Sequence, residues 1–354
     1  MTTETPPKRK ATPKSAKQLA EGLTACLFNL IIYAHHPDQV ASLRVLMEAI
    51  TEHFPCRVIF IQSEERSIPT LKVEGAVYST AVGSLPDYEE VRISVSRSNL
   101  TRVPYIVLPY LLSDLPVFLL WGQDPSMEKE VLPSLLSMAD RLIVDSESTG
   151  DLHRFSQQVL SLREWTQLDV VDLNWARISG WREVIRKVFD SPDRLHNFAK
   201  ATEVVICYNQ TGGLLKAGTQ TQSLYLQAWL ADRFGWTWQK ASIEGESKIA
   251  TYRHANGETK VVLMPGNEPD RPPGMLLSVE VSEPEQSRFS MKRLPNSRQV
   301  MVHISSADSC ELPFNLLLPG VRRSYPFLKE LFYAPGSPQY FTMLHLLAQQ
   351  DWNL

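Results

Sequence analysis

The chain has 354 residues, 43% hydrophobic and 21% charged, enough for about two globular domains that each bury a core. A net charge of −3 gives no global pull toward nucleic acid or an anionic membrane, and no apolar run approaches the ~18 residues of a membrane span. Four scattered cysteines form neither a disulfide scaffold nor a zinc site, and the lysines near the start precede no apolar leader segment, so a reducing cytoplasm is expected.

Residues 1–15 combine prolines and lysines with almost no large apolar side chain, which predicts a disordered basic tail. From Cys26 to Tyr33 the chain is nearly continuously apolar, as in a strand buried on both faces. Pro37-Asp38 opens a helix with Val40, Leu43, Leu46, Met47 and Ile50 at helical spacing. Cys56 to Ile61 is the next buried strand, and the short crossover implies that the two strands are parallel. Further strands are expected at 73–82, 88–95, 116–121 and 141–144. A helix end is expected near 104–112, and a helix containing Leu152, Phe155, Val159 and Leu162 leads to a short strand at Val170-Val171.

After Asp172 the spacing predicts one helix to about Phe189, with Ile178, Trp181, Ile185 and Val188 on one stripe. Asp190-Ser191-Pro192 closes it and marks the expected domain boundary. Beyond lie a strand at 203–208 and a helix at 221–234. Strand-like runs follow at 236–238, 248–253, 261–264, 275–281, 288–294 and 300–304, punctuated by Gly and Pro. A last helix is expected near 338–350. The fold class is α/β. A Rossmann-like, mostly parallel sheet domain over 16–192 precedes a smaller α+β domain over 193–354 with a mainly antiparallel sheet.

The motifs of common chemistry are missing. Thr211-Gly212-Gly213 with Lys216 has the wrong spacing for a phosphate-cradling loop. The first strand runs into Ala34-His35-His36-Pro37, where a dinucleotide site needs glycines, so no cofactor is expected. His35-His36 with Asp38 is a poor metal set. No strained Gly-x-Ser-x-Gly elbow is present. Glu64-Glu65 and Glu89-Glu90 are adjacent pairs whose side chains diverge, and they read as solvated. Arg57 is expected to pair with Asp114 or Asp145, and Arg322-Arg323 reads as a solvated pair. Cys26 and Cys56 begin adjacent strands and Arg57 lies beside Cys56, so a redox thiol pair is one open reading. Two buried thiols packed as small hydrophobes is the plainer one.

The densest segment is Asp172-Leu173-Asn174-Trp175-Ala176-Arg177-Ile178-Ser179-Gly180-Trp181-Arg182. Tryptophan and arginine dominate the energetic centres of protein interfaces, so Asp172, Trp175, Arg177, Trp181 and Arg182 are candidate partner-binding residues. Asp172 also suits a helix cap. Arg177 and Trp181 share a helix face. In the alternative reading the tryptophans lock the helix onto the sheet and the arginines are tied to Asp172 or Asp114.

Five ordered segments resemble one known family. They are Asn29-Leu30-Ile31-Ile32 leading to His53-Phe54-Pro55-Cys56-Arg57; residues 107–121 around Leu111-Leu112-Ser113-Asp114-Leu115-Pro116; Ala139-Asp140-Arg141-Leu142-Ile143-Val144-Asp145-Ser146; the Asp172 block; and Leu226-Gln227-Ala228-Trp229-Leu230-Ala231-Asp232-Arg233-Phe234-Gly235-Trp236. Together they resemble the glucose-6-phosphate dehydrogenase assembly proteins, the OpcA family. The resemblance implies a non-catalytic partner that binds glucose-6-phosphate dehydrogenase and promotes its active assembly. In some members control is redox-linked. It implies a cytoplasmic role in the oxidative pentose phosphate pathway and NADPH supply, with NADP and glucose 6-phosphate bound by the dehydrogenase. Competing expectations are a sugar-phosphate-binding enzyme or sensor at the C-terminal edge of the parallel sheet, and a thiol sensor using Cys26 and Cys56.

Overall fold

The computed structural model describes residues 10–13, 26–64, 70–79, 88–127, 130–211, 218–283, 287–306, 310–319 and 325–352. The chain forms two compact units, Met1–Asp145 with Leu162–Val171, and Ser146–Ser161 with Asp172–Leu354. This division differs from the one expected at Pro192. The reason lies in the segment after Asp172: Phe189 stacks with Phe198 at 4.4 Å and with Phe289 at 4.7 Å, which ties residues 179–198 into the second unit.

The first unit is built on a sheet whose strands are β1 (Lys10–Pro13), β2 (Asn29–Ala34), β3 (Arg57–Glu64), β4 (Leu71–Ser79), β5 (Tyr88–Ser96), β6 (Val117–Trp121), β7 (Arg141–Val144) and β8 (Asp169–Asp172), in the order β1-β4-β5-β3-β2-β6-β7-β8. Strands β5, β3, β2, β6 and β7 run parallel. All six residues of β2 are buried, as its unbroken apolar run predicts. Helix α1 (Pro37–His53) follows β2 and buries Leu43, Leu46, Met47 and Ile50. Strand β1 corrects the expected disorder of the tail over Lys10–Pro13: an antiparallel ladder to β4 supplies backbone bonds where large apolar side chains are lacking. The rest of that tail, Lys216 and Arg322-Arg323 lie outside the described residues.

Three polar residues of the family-like segments fasten the strand starts. Asn29 donates to the carbonyls of Leu112 (3.0 Å) and Leu115 (3.1 Å) and accepts from the Leu112 amide (2.9 Å). Asp140 accepts from the Val117 amide at 2.7 Å. Arg57 is fully buried and pairs with Glu89, donating also to the Tyr110 carbonyl at 2.9 Å. Glu89-Glu90 is thus not a solvated pair, and Arg57 turns to neither Asp114 nor Asp145. The parallel register sets Glu89 opposite Arg57, and Glu90 pairs with Arg44 and Arg92.

Two short helices belong to this unit, α2 (Val103–Val107) and α3 (Leu132–Leu136); α4 (Leu152–Thr166) is shared between the units, and α5 (Leu173–Arg177), α6 (Ser179–Val188) and α7 (Pro192–Phe198) belong to the second. In the second unit β9 (Glu203–Asn209) is followed by α8 (Thr221–Phe234), as expected. Its sheet adds β10 (Thr237–Glu244), β11 (Ser247–His254), β12 (Gly257–Gly266), β13 (Leu276–Ser282), β14 (Arg288–Arg293), β15 (Gln299–Ser305) and β16 (Phe314–Leu317). The order is β10-β11-β12-β9-β13-β14-β15-β16, antiparallel throughout except for the parallel pair β9 and β12. The chain ends with α9 (Tyr325–Phe332) and α10 (Pro338–Leu347). The side chain of α8 residue Trp229 donates to Gln339 at 3.3 Å, and Gln227, Tyr252 and Gln350 form a buried hydrogen-bonded cluster.

Candidate functional site

The Asp172 block lies in the second unit, where its side chains turn inward. Asp172 is fully buried and caps α5, accepting from the amides of Asn174 (2.6 Å) and Trp175 (3.1 Å). The same carboxylate accepts from the hydroxyls of Ser146 (3.0 Å) and Tyr225 (3.3 Å). Burial, with Asp172 alongside, pushes the Tyr225 phenol far up, so it serves as a neutral donor. A buried carboxylate is tolerated when its lone pairs are filled in this way.

The predicted single helix is broken at Ile178 into α5 and α6. The break decides which arginine meets which ring. Arg177 does not lie over Trp181: it pairs with Glu147 at 3.0 Å and donates to Asn174 at 2.8 Å. Arg182 instead lies over Trp175, its guanidinium carbon 3.6 Å from the ring centroid, and reaches Glu330 at 2.8 Å. Trp175 and Trp181 are 3% and 2% exposed, so a partner cannot touch their rings without local opening. Ser146, Glu147, Tyr225 and Glu330 complete the frame and were not singled out by sequence reasoning. Ser146 closes one family-like segment without having been read as a site residue, and Glu330 meets Arg182 across 148 residues, too far apart for a local signal.

Gly180 explains itself in the structure. A Cβ there would run into the Pro319 carbonyl and press on Leu318, so the glycine admits the 318–319 backbone to the surface of α6. Further along α6, Ile185 and Phe189 form a groove of about 720 Å3 with Leu195, Phe198, Trp229 and Phe234. Arg186, Arg233 and His196 stand at its rim against Asp190. The family-like segment 226–236 lines this groove through Trp229, Leu230, Arg233 and Phe234, while the Asp172 block ends at Arg182, short of it.

The other candidates separate. Cys26 is half-buried and Cys56 is buried, and no disulfide joins them. The Leu27 amide donates to the Pro55 carbonyl and the Arg57 amide to the Phe28 carbonyl, which brings Phe28 rather than Cys26 opposite Cys56. Burial pushes the Cys26 thiol up, outweighing the opposing pull of Arg57. No group of three or more His, Cys, Asp or Glu suited to a metal ion occurs among the described residues.

The family model described as glucose-6-phosphate dehydrogenase subunit N-terminal domain, OpcA_G6PD_assem, matches residues 47–161, and its C-terminal counterpart, OpcA_G6PD_C, matches 168–312. The chain belongs to the OpcA family. A relative from Synechocystis sp., provisionally named OxPP cycle protein OpcA, is 25% identical over 196 residues, covering 54% of this chain and 40% of its own. Its namesake from Nostoc punctiforme is 27% identical over 201 residues with the same coverages. The match therefore spans less than half the length of these relatives.

Solved structures show the fold. KijD10, a 3-ketoreductase from Actinomadura kijaniata in complex with TDP-benzene and NADP, matches at TM-score 0.54 and 13% identity, covering 91% of this chain and 94% of its own. A super-repressor mutant of Gal80p from Saccharomyces cerevisiae matches at TM-score 0.53 and 8% identity, covering 91% and 93%.

A Rossmann-like sheet that holds a dinucleotide places its pyrophosphate at the turn after the first strand, here the turn after β2. A pyrophosphate needs free amides at the helix start. Here Pro37 supplies none, the His36 amide is given to Gln39 at 3.2 Å, and the Asp38 amide is directed to His36 Nδ1 at 3.5 Å. The Asp38 carboxylate adds negative charge at the same turn. These residues do not fit a dinucleotide pyrophosphate.

Proposed function

We propose that this OpcA protein is a non-catalytic partner of glucose-6-phosphate dehydrogenase that binds the enzyme and favours its active assembly, supporting the oxidative pentose phosphate pathway and NADPH supply in the cytoplasm. The observation that carries the reading is the consecutive match of both family domains over residues 47–312. The capped, glycine-free β2–α1 turn supports the non-catalytic part, because its amides are taken by Gln39 and His36 rather than left for a pyrophosphate. The NADP and glucose 6-phosphate belong to the dehydrogenase.

Asp172, Trp175, Arg177, Trp181 and Arg182 then act on the partner at one remove. They fix α6, and α6 with α7 and α8 offers the aromatic groove as the contact surface. Leu195, 50% exposed at this groove, suits an apolar anchor. The test is co-elution with the dehydrogenase from the same organism. Leu195→Glu should abolish it while leaving the fold intact, and unchanged co-elution would remove the groove from the proposal. An activator must bind one state of its enzyme better than another.

A further inference from the structure

A second concentration of charge lies where β9 and β12 end, at the C-terminal end of a parallel pair, the place where open α/β sheets receive ligands. Asn209, fully buried at the last position of β9, fixes the loop there. Its Nδ2 donates to the carbonyls of Glu268 (3.0 Å) and Arg271 (2.7 Å), and its Oδ1 accepts from the Glu268 amide (3.0 Å). Gly274, at φ +74°, completes the turn into β13.

Arg271 stands on this loop, paired with Glu268 and donating to the Leu294 carbonyl at 3.0 Å. Arg293, the residue before Leu294, closes β14. Its Nε donates to the Leu276 carbonyl at 3.3 Å, and its guanidinium carbon lies 6.0 Å from the centroid of the buried Trp181 ring. The Nη groups of Arg293 have no acceptor and no carboxylate at ion-pair distance among the described residues. A half-buried cation left without a counter-ion is unfavourable. Burial, and next the nearby Arg271, pull Arg293 down to about 10. Two arginines against the single Glu268 leave one positive charge in excess.

We propose that Arg293 and Arg271 form a receiving site for a phosphate monoester, with Trp181 backing the Arg293 plane. A carboxylate has two oxygens and fills one guanidinium fork. A phosphate monoester fills that fork on Arg293 too and, with up to two negative charges, also answers the charge of Arg271, whose own donors are held by Glu268 and the Leu294 carbonyl. The Leu276 carbonyl holds the Arg293 Nε, and Asn209 restricts the loop bearing Arg271, so little is left to order on binding. The site does not rest on the partner reading, and its test contains no dehydrogenase, so the two fail separately.

The test is calorimetric titration of the full chain with inorganic phosphate, a hexose 6-phosphate and the unphosphorylated hexose, alongside thermal melting. Saturable binding of both phosphates with Kd between about 10 μM and 1 mM is expected, with none for the bare hexose. Tighter binding of the hexose phosphate would mark a sugar subsite; equal binding would mark a site for the phosphate group alone. Either supports the proposal. Arg293→Met should weaken binding by about tenfold or more. Should that variant fail to fold, Arg293→Lys keeps the charge but loses the fork, and it should lower affinity measurably. The proposal is overturned if the wild type shows neither heat nor a melting shift at about 10 mM phosphate. Unchanged affinity in both Arg293→Lys and Arg271→Lys also overturns it.

Discussion

Arg182 lies flat on Trp175, 3.6 Å from the ring centroid, while its Nη2 reaches Glu330 at 2.8 Å and the Trp175 carbonyl at 3.2 Å. One side chain thus joins α5, α6 and α9. Arg182→Met keeps much of the packing but leaves Glu330, 25% exposed, without its cation. Breaking a fully buried pair costs about 3–5 kcal/mol, and partial exposure lowers that to about 2 kcal/mol. Urea denaturation should find a loss of this size, and a difference under about 0.5 kcal/mol would show that the contact contributes nothing.

Burial holds the Glu330 carboxyl above the ordinary glutamate range, with Arg182 pulling the other way. The folded state therefore keeps this proton to higher pH than the unfolded chain, whose glutamates titrate near about 4.3. Its contribution to stability is full below that value and declines as pH rises through the folded-state pKa. The stability of wild type relative to Glu330→Gln should accordingly fall across this window and flatten above it. Denaturation curves at a series of pH values check the sign; a relative stability that rises with pH would refute it.

Gly180→Ala sets two effects against each other. Alanine favours a helix interior by about 1 kcal/mol, but the added Cβ collides with the Pro319 carbonyl, which is backbone and cannot swing aside. Overpacking of this kind costs about 1–3 kcal/mol. Net destabilisation of up to about 2 kcal/mol is expected by thermal and chemical denaturation. Gly150→Ala, which has nothing within 4 Å of the new Cβ, is the control and should be near neutral.

Asp172→Ala removes the acceptor shared by Ser146, Tyr225 and two amides of α5. A loss of about 3–5 kcal/mol is expected, with Asp172→Asn losing less because one oxygen remains. Equal losses in the two variants would assign the effect to shape rather than to accepted hydrogen bonds.

The buried Arg57–Glu89 pair predicts strong coupling. Either Arg57→Met or Glu89→Leu alone strands a charge and should cost about 3–5 kcal/mol, while the double variant should recover most of it. Additive losses in a double-mutant cycle would show that the pair is not coupled.

Elements with a strong period were legible in the chain. The unbroken apolar run of β2, the strand Arg141–Val144 and the helix Thr221–Phe234 lie where spacing put them. The Asp172 cap was legible because capping is local. Strand β16 was hidden because none of its four residues is fully buried, and β1 because edge pairing needs little apolar surface. The ion-pair partners were illegible for a different reason. Glu89 faces Arg57 through a sheet register, and Glu330 meets Arg182 across 148 residues, so neither pairing has a local signal. The break at Ile178 shifted the stacking from Arg177 and Trp181 to Arg182 and Trp175, a change of phase that helical spacing alone does not reveal.

The most direct measurement is the rate of the dehydrogenase from the same organism across glucose 6-phosphate concentrations, with and without this purified OpcA protein, paired with sizing chromatography of the mixture. The account predicts a saturable rise in activity that tracks co-elution and a shift of the enzyme toward its active assembly. Unchanged rates with the two folded proteins eluting apart would contradict it.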